Sequence, residues 1–397
     1  MSYIDAAKTR STRLAKSIAG DRKIPQANRK MMVKYLELMA GMGLSDRTVS
    51  KNMYSFNIFL KAMGKKDVMK ASKEEISRAM GVIEGSQYAD KTKQAIKVTV
   101  KQFYKQFLGE GEFYPKQARW IKTSLKAYKR MLPEDILSEE EVLRMIATAS
   151  NPRDKALIAL LYDSGIRMGE LLNLRIKDVN LDTTPAHMTV SGKTGMRRVP
   201  ISFSVPYMAN YLNNLSDRKP GDFMWSGIGS HIGQDKIDYM AILHMLKRTA
   251  GAAKIRKRIY PHLFRHSRAS YYANKLTEQQ LKVFFGWTGD SRMASTYVHL
   301  SGRDIDNAVM GANGMEVAKE DTKPKLTVIR CQRCQVANAI DSTYCAKCGA
   351  PLTPKLNVEH GEKEDLLRKA MVKALDSDPK LMEELIHQYL EGKRKKR

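Results

Sequence analysis

Apolar side chains recur at helical spacing through the first third of the chain. Val49, Met53, Phe56, Leu60 and Met63 fall at steps of four, three, four and three, and Ile96, Val100, Phe103 and Phe107 nearly repeat them. Each set makes one stripe along a helix. Met32, Tyr35 and Met39 precede the first stripe and Ile76, Met80 and Ile83 lie between the two, so residues 28–112 read as a bundle of about four helices. Ser45 and Asp90 stand where N-caps are expected. Residues 1–27 are polar and basic and read as a loosely ordered arm ending near Pro25. Residues 113–135 hold six basic and two acidic side chains with two prolines, a composition that suits a basic linker lying along an anionic surface.

A second domain, residues 136–312, opens with Ser138 and Glu141 at capping-box spacing ahead of a helical pattern. The period switches to two between His187 and Ser202, where Met188 and Val190, then Val199 and Ile201, alternate around Gly192-Lys193-Thr194-Gly195. That is a β-hairpin inside a mostly helical domain. Residues 313–330 read as a linker, 331–352 as a cysteine-bearing module, and 353–397 as a charged helix from about Asp365 to Tyr389 followed by the basic tail Lys393 to Arg397. The tail suits phosphate contacts or a plain solvated terminus equally. The expected fold class is mainly α with a small β-hairpin or sheet, and no internal repeat is visible.

Charge narrows the partner. Lys and Arg number 69 against 42 Asp and Glu, a formal charge of +27, and residues 1–135 alone carry 28 basic against 13 acidic groups. A protein handling only neutral metabolites needs no such surplus. The basic residues spread through predicted helices instead of clustering beside an amphipathic anchor, which favours nucleic acid over a membrane surface. No apolar run approaches the roughly 18 residues of a membrane span, the longest being Ala156 to Leu161, and the N-terminus shows no signal-peptide core. A soluble, cytoplasmic, nucleoid-associated protein is expected, with double-stranded DNA as partner and no membrane.

Four features of the second domain could carry chemistry. Glu170 lies three residues after Arg167 in Gly165-Ile166-Arg167-Met168-Gly169-Glu170-Leu171-Leu172 and can hold its guanidinium on one helix face. Lys193 sits at the hairpin tip. His262-Leu263-Phe264-Arg265 places an imidazole beside a guanidinium if the segment opens a helix, and Gly286-Trp287 is followed ten residues later by Tyr297. Taken singly, each has an ordinary explanation: a solvated ion pair, a turn lysine, a packed histidine, a core tryptophan. Their order and spacing argue otherwise.

In that order, Arg167, Lys193, His262, Arg265, Trp287 and Tyr297 resemble the tyrosine site-specific recombinases of the phage-integrase family, with Glu170 and Asp178 in a matching flanking stretch. The resemblance covers about residues 136–312, and residues 28–112 match the family's helical core-binding domain in architecture only. Trp287 departs from the second histidine of many members. The resemblance implies a mixed α/β catalytic domain, a DNA strand-transferase working through a 3′-phosphotyrosine intermediate, and a homo-tetramer on synapsed DNA. It also implies a C-terminal segment, around Arg303 to Met310, that packs on a neighbouring protomer.

Elementary chemistry agrees. Displacement at a phosphodiester builds charge on the equatorial oxygens, which two bidentate guanidiniums, Arg167 and Arg265, can hold. A phenol with a pKa near 10 needs cationic neighbours and a base, and His262 is the candidate. Lys193 can protonate the departing 5′ oxygen, and the Trp287 indole can donate to phosphate but cannot shuttle protons. Keeping the bond energy in phosphotyrosine removes any need for ATP or a catalytic metal. No P-loop or acidic metal cluster is evident. His266 and His299 flank key residues but, lacking charged partners of their own, read as packed or capping groups.

The second motif is Cys331-x-x-Cys334, ten residues, then Cys345-x-x-Cys348-Gly349. Two such knuckles offer four thiolates to a structural Zn²⁺, with rubredoxin-like iron or a redox dithiol as alternatives. The module resembles the zinc ribbons of nucleic-acid enzymes, and the whole resembles archaeal-type integrases bearing a C-terminal ribbon. Its contact could be DNA, another protomer or an accessory protein. The expected function is integration or excision of a mobile element. Chromosome-dimer resolution, a nicking and resealing topoisomerase of type IB kind, a non-catalytic DNA-binding regulator on the same scaffold and a zinc-ribbon adaptor are the alternatives.

Overall fold

The computed structural model describes residues 9–109, 111, 113–124, 133–192, 195–215, 218–227, 236–273, 275–298, 309–310, 312–315, 325–352, 365–366 and 369. Lys193, His299, residues 303–308, nearly all of the expected helix from Asp365 to Tyr389 and the basic tail lie outside them. The chain divides into two compact units, Met1–Arg130 and Met131–Arg397.

Among the described residues, the first unit packs five helices, α1 (Arg10–Ala19), α2 (Gln26–Gly41), α3 (Asp46–Met63), α4 (Lys73–Glu84) and α5 (Asp90–Leu108). The apolar stripes face inward: Val49, Met53, Phe56, Leu60 and Met63 from α3 meet Ile96, Val100 and Phe103 from α5 in one core, with the Phe56 and Phe103 rings 4.2 Å apart. Ser45 caps α3 through Thr48 N–H, whereas the N-cap of α5 is Ala89 and Asp90 is its first helical residue.

Two expectations are corrected here. Within the expected loose arm, residues 10–19 are ordered, because Thr9 and Thr12 form a capping box that starts α1, and α1 buries Ala15 and Ile18. The first half of the expected linker is also packed: Ala118 and Ile121 join the core, Lys101 Nζ donates to Ile121 O (3.1 Å) and Gln94 to Thr123 O (2.9 Å). Composition reports solvent preference along a segment, and a few apolar side chains at the right spacing suffice to dock it.

The second unit is mainly helical around a small antiparallel sheet. Its elements are α6 (Glu139–Thr148), α7 (Pro152–Ser164), α8 (Met168–Asn173), β1 (Val179–Asn180), β2 (His187–Gly192), β3 (Gly195–Pro200), α9 (Val205–Asn213), α10 (Tyr239–Ala252), α11 (Pro261–Ala273), α12 (Glu278–Phe285), α13 (Met293–Val298), β4 (Ile329–Arg330) and β5 (Ala337–Asn338). The Ser138–Glu141 capping box opens α6. β2 pairs β3 from His187↔Pro200 to Gly192↔Gly195, so Met188 and Val199 oppose each other and both are buried. The centre is α7, buried along nearly its whole length, which packs against α6, α9 and α11. No helix among the described residues is long and apolar enough to cross a membrane.

The expected linker before the cysteines also turns out to be docked at its end. Leu326 is buried in the core of the second unit and Val328 packs on it. Lys325 N–H donates to Glu139 Oε2 (2.7 Å), and its ammonium pairs with Glu140.

Candidate active site

Helix α7 stops at Gly165, whose φ of 54° is left-handed. A Cβ there would sit 2.6 Å from the Phe285 ring, so glycine is required on both counts. The turn delivers Arg167 to the N-cap of α8. Its backbone N–H donates to Glu170 Oε2 (3.0 Å), its Nη1 to Glu170 Oε1 (2.9 Å) and its Nη2 to Gly286 O (2.6 Å). Arg197 of β3 grips the same carboxylate with both terminal nitrogens, 2.7 and 2.8 Å away, while its Nε reaches Phe284 O (3.2 Å). The Glu170 side chain is only 2% exposed. Burial alone would raise its pKa, but the bonds from Arg197 and Arg167 outweigh that and hold it at about 2. A fixed carboxylate thus stands between two guanidiniums.

Helix α11 presents His262, Arg265 and His266 at helical spacing. Arg265 is 3% exposed. It donates to Gly165 O (2.8 Å) and to Phe285 O, next to the Gly286 carbonyl that Arg167 engages. Burial, then Arg167 and Arg197, pushes its pKa down to about 9, which leaves it a cation at neutral pH. Partial burial and the charges of Arg265 and Arg167 likewise lower His262 below the ordinary histidine value, favouring the neutral imidazole.

Tyr297 comes from α13, which packs on α11 and α12, and is 3% exposed. Its ring stacks on Trp287, centroids 5.5 Å apart and planes within 3°, and Trp287 stacks in turn on Phe285 at 5.0 Å. The Tyr297 hydroxyl hydrogen-bonds His266 Nδ1. His262 stands edge-on behind His266, ring centroids 5.2 Å apart.

The structure therefore brings Arg167, Glu170, His262, Arg265, Trp287 and Tyr297 into one place. Lys193 lies outside the described residues; Gly192 and Gly195, on either side of residues 193–194, pair with each other. Arg197 escaped sequence reasoning. His266, read from the sequence as a packed or capping group, hydrogen-bonds the Tyr297 hydroxyl. Its signal was present in its position one turn after His262 and next to Arg265.

Behind the site, buried Asp163 at the end of α7 accepts from Ser202 N–H (2.7 Å), Ser204 N–H (3.1 Å) and Ser204 Oγ (2.7 Å) after β3. It also accepts from Arg268 Nη2 of α11 (3.1 Å). One carboxylate ties the elements that carry Arg167, Arg197 and His262.

The cysteines form a separate centre. The sulfurs of Cys331, Cys334, Cys345 and Cys348 all lie within 4.8 Å of one another, with Cys331–Cys348 at 3.6 Å and Cys334–Cys345 at 3.5 Å. Metal–thiolate bonds of about 2.3 Å give a tetrahedron with edges of about 3.8 Å, so the donor set fits and could bind a metal. Gln335 N–H donates to Cys331 O and Gly349 N–H to Cys345 O, both at 2.9 Å, closing the two knuckles. The module rests on the second unit: Tyr207 of α9 donates to Asp341 Oδ1 (2.9 Å), Lys155 of α7 pairs with Asp341 (3.6 Å), and Ala339 enters the core.

A profile of the phage integrase family matches residues 135–303. The chain is similar to tyrosine recombinase XerD of Staphylococcus saprophyticus, 25% identical over 285 residues that cover 69% of this chain and 94% of that one. It is 28% identical over 172 residues to tyrosine recombinase XerA of Pyrococcus horikoshii, covering 43% of this chain and 57% of that one. Its fold is shared with XerH site-specific recombinase bound to palindromic difH substrate (TM-score 0.53, 14% identity, 76% of this chain and 94% of that one). The lambda integrase tetramer bound to a Holliday junction has the same fold (TM-score 0.54, 16% identity, 72% and 80%).

Proposed function

We propose, from the match of residues 135–303 to the phage integrase family, that this protein cleaves and rejoins double-stranded DNA at a specific site through a 3′-phosphotyrosine link on Tyr297. The observation that carries the reading is the clustering around Tyr297: its ring stacks on Trp287, the Arg265 guanidinium lies 5.6 Å from that same indole, and Arg167 holds the neighbouring Gly286 carbonyl.

Arg167 and Arg265 take the charge that develops on the phosphoryl oxygens. Because Glu170 and backbone carbonyls already orient them, little reorganisation is left for the transition state. Lys193 supplies the proton to the departing 5′ oxygen. Trp287 holds the phenol ring face to face and keeps its indole N–H for a phosphate oxygen. The phosphotyrosine bond conserves the energy of the cut, so rejoining needs neither ATP nor a catalytic metal. The tetrameric lambda integrase supports a synapse of four protomers, and integration or excision of a mobile element is the role we assign. A structural Zn²⁺ held by Cys331, Cys334, Cys345 and Cys348 would tie the two knuckles together without taking part in the chemistry.

The test is a covalent adduct on denaturing gels. Purified protein, with chelator present, is incubated with supercoiled DNA carrying sequence from beside its own gene. An adduct formed by the parent and absent in Tyr297→Phe supports the reading, and the junction it maps is the site. Tight binding without any adduct would leave a DNA-binding regulator instead.

A further inference from the structure

We propose that His266 takes the proton from Tyr297 during cleavage, as a catalytic base in direct contact with the nucleophile; the inference rests on the recombinase reading above. The contact is specific in its atoms. Nδ1 of His266 meets the Tyr297 hydroxyl, and the two rings lie 5.8 Å apart, tilted by 37°. Trp287 stacks flat on the phenol, which restricts the tilt of the ring whose hydroxyl meets the imidazole.

Neighbouring bonds keep the imidazole in place. Arg265, one residue before it, is locked to Gly165 O and Phe285 O. Ser267, one residue after it, donates to Leu263 O (2.9 Å) and accepts from Leu137 N–H (2.8 Å). Helix α11 cannot rotate without breaking both sets.

Two adjacent imidazoles do not readily charge together. His262 is biased toward its neutral form by partial burial and by Arg265 and Arg167, so no second imidazolium stands beside the proton that arrives on His266 during the step. His262 then backs the imidazolium edge-on instead of touching the phenol. In the cleavage step the phenol O–H bond breaks and its proton passes to neutral Nδ1. The phenol oxygen bonds to phosphorus, the P–O5′ bond breaks, and the 5′ oxygen takes a proton from Lys193. Rejoining reverses each transfer: the incoming 5′ hydroxyl returns a proton to Lys193, and His266 returns its proton to the phenol. Atoms and charges balance with no further reactant.

The experiment uses the full chain and the site mapped by the adduct assay, prepared with oxygen or with sulfur at the scissile 5′ position. A departing thiolate needs no proton, so sulfur relieves a missing acid but not a missing base. His266→Asn keeps a hydrogen-bonding group without a basic nitrogen and is expected to slow adduct formation roughly 100-fold on both substrates. Lys193→Ala should slow the oxygen substrate alone. His266→Ala should be slow on both and be accelerated by added imidazole, a recovery that a misfolded protein cannot show. Parental rates in His266→Asn, its recovery on the sulfur substrate, or no response of His266→Ala to imidazole in a protein that melts with the parent would each overturn the assignment. If the parent forms no adduct on either substrate, the recombinase reading falls and this assignment with it.

Discussion

Arg197 decides how firmly Arg167 is held, although it belongs to a different element and touches no predicted reactant. With Arg197→Ala, Glu170 stays buried with one guanidinium instead of two. Removing one partner of a buried pair commonly costs about 3–5 kcal/mol. We expect slower adduct formation with little change in DNA affinity, partly restored in Arg197→Lys, which single-turnover cleavage and a binding titration will separate. The same carboxylate makes stability depend on acid. Glu170 lies at about 2 in the folded protein, below the roughly 4.3 of an unfolded chain. Its ionised form therefore stabilises at neutral pH, and the contribution fades as pH falls from about 5 through about 2. Denaturant midpoints measured across that window should decline, and Glu170→Gln should flatten the decline. Most of the site was legible because its residues are spaced along the sequence in a fixed order. Arg197 was not, since its partner lies 27 residues away across a strand, and a β-strand arginine looks the same whether it faces water or a buried carboxylate.

At the scale of elements, α7 and α11 form the frame, and Asp163 is where they are joined to the exit of β3. Asp163→Ala would leave Arg268, whose side chain is 5% exposed, without its carboxylate, and would strand the Ser202 and Ser204 N–H groups. A loss of about 3–5 kcal/mol is expected, read from urea unfolding, and a change below about 1 kcal/mol would mean that water replaces the carboxylate. Helix periodicity was easy to read wherever apolar residues faced one core, as in α3 and α5. The register of the hairpin followed from alternation. Helix α1 and the docked stretch around Ala118 and Ile121 were missed for one reason: their few apolar residues are diluted by basic ones, and only the facing surface shows that they bury.

On the scale of the whole molecule, the cysteine module is part of the second unit and not an appendage. It is held by Tyr207 and Lys155 through Asp341 and by Leu326 in the core. Two CxxC spacings foretold the cluster, but its docking depends on residues outside the motif. Stripping metal with a chelator, or Cys345→Ser, should lower the melting midpoint of that unit by several degrees, at about 2–4 °C per kcal/mol for a domain of this size. Amide exchange in α9 should quicken along with it, while adduct formation in the cold persists. Unchanged exchange in α9 after metal loss would show the module to be energetically separate. The stack at the active site has a consequence of another kind. The chain has three tryptophans; Trp225 stacks on Tyr211, Trp120 packs in the first unit, and Trp287 lies flat against Tyr297. On the proposed chemistry, each departure of the phenol toward a strand alters the surroundings of one indole, and its fluorescence becomes a built-in clock for the cut and its repair, readable without any dye.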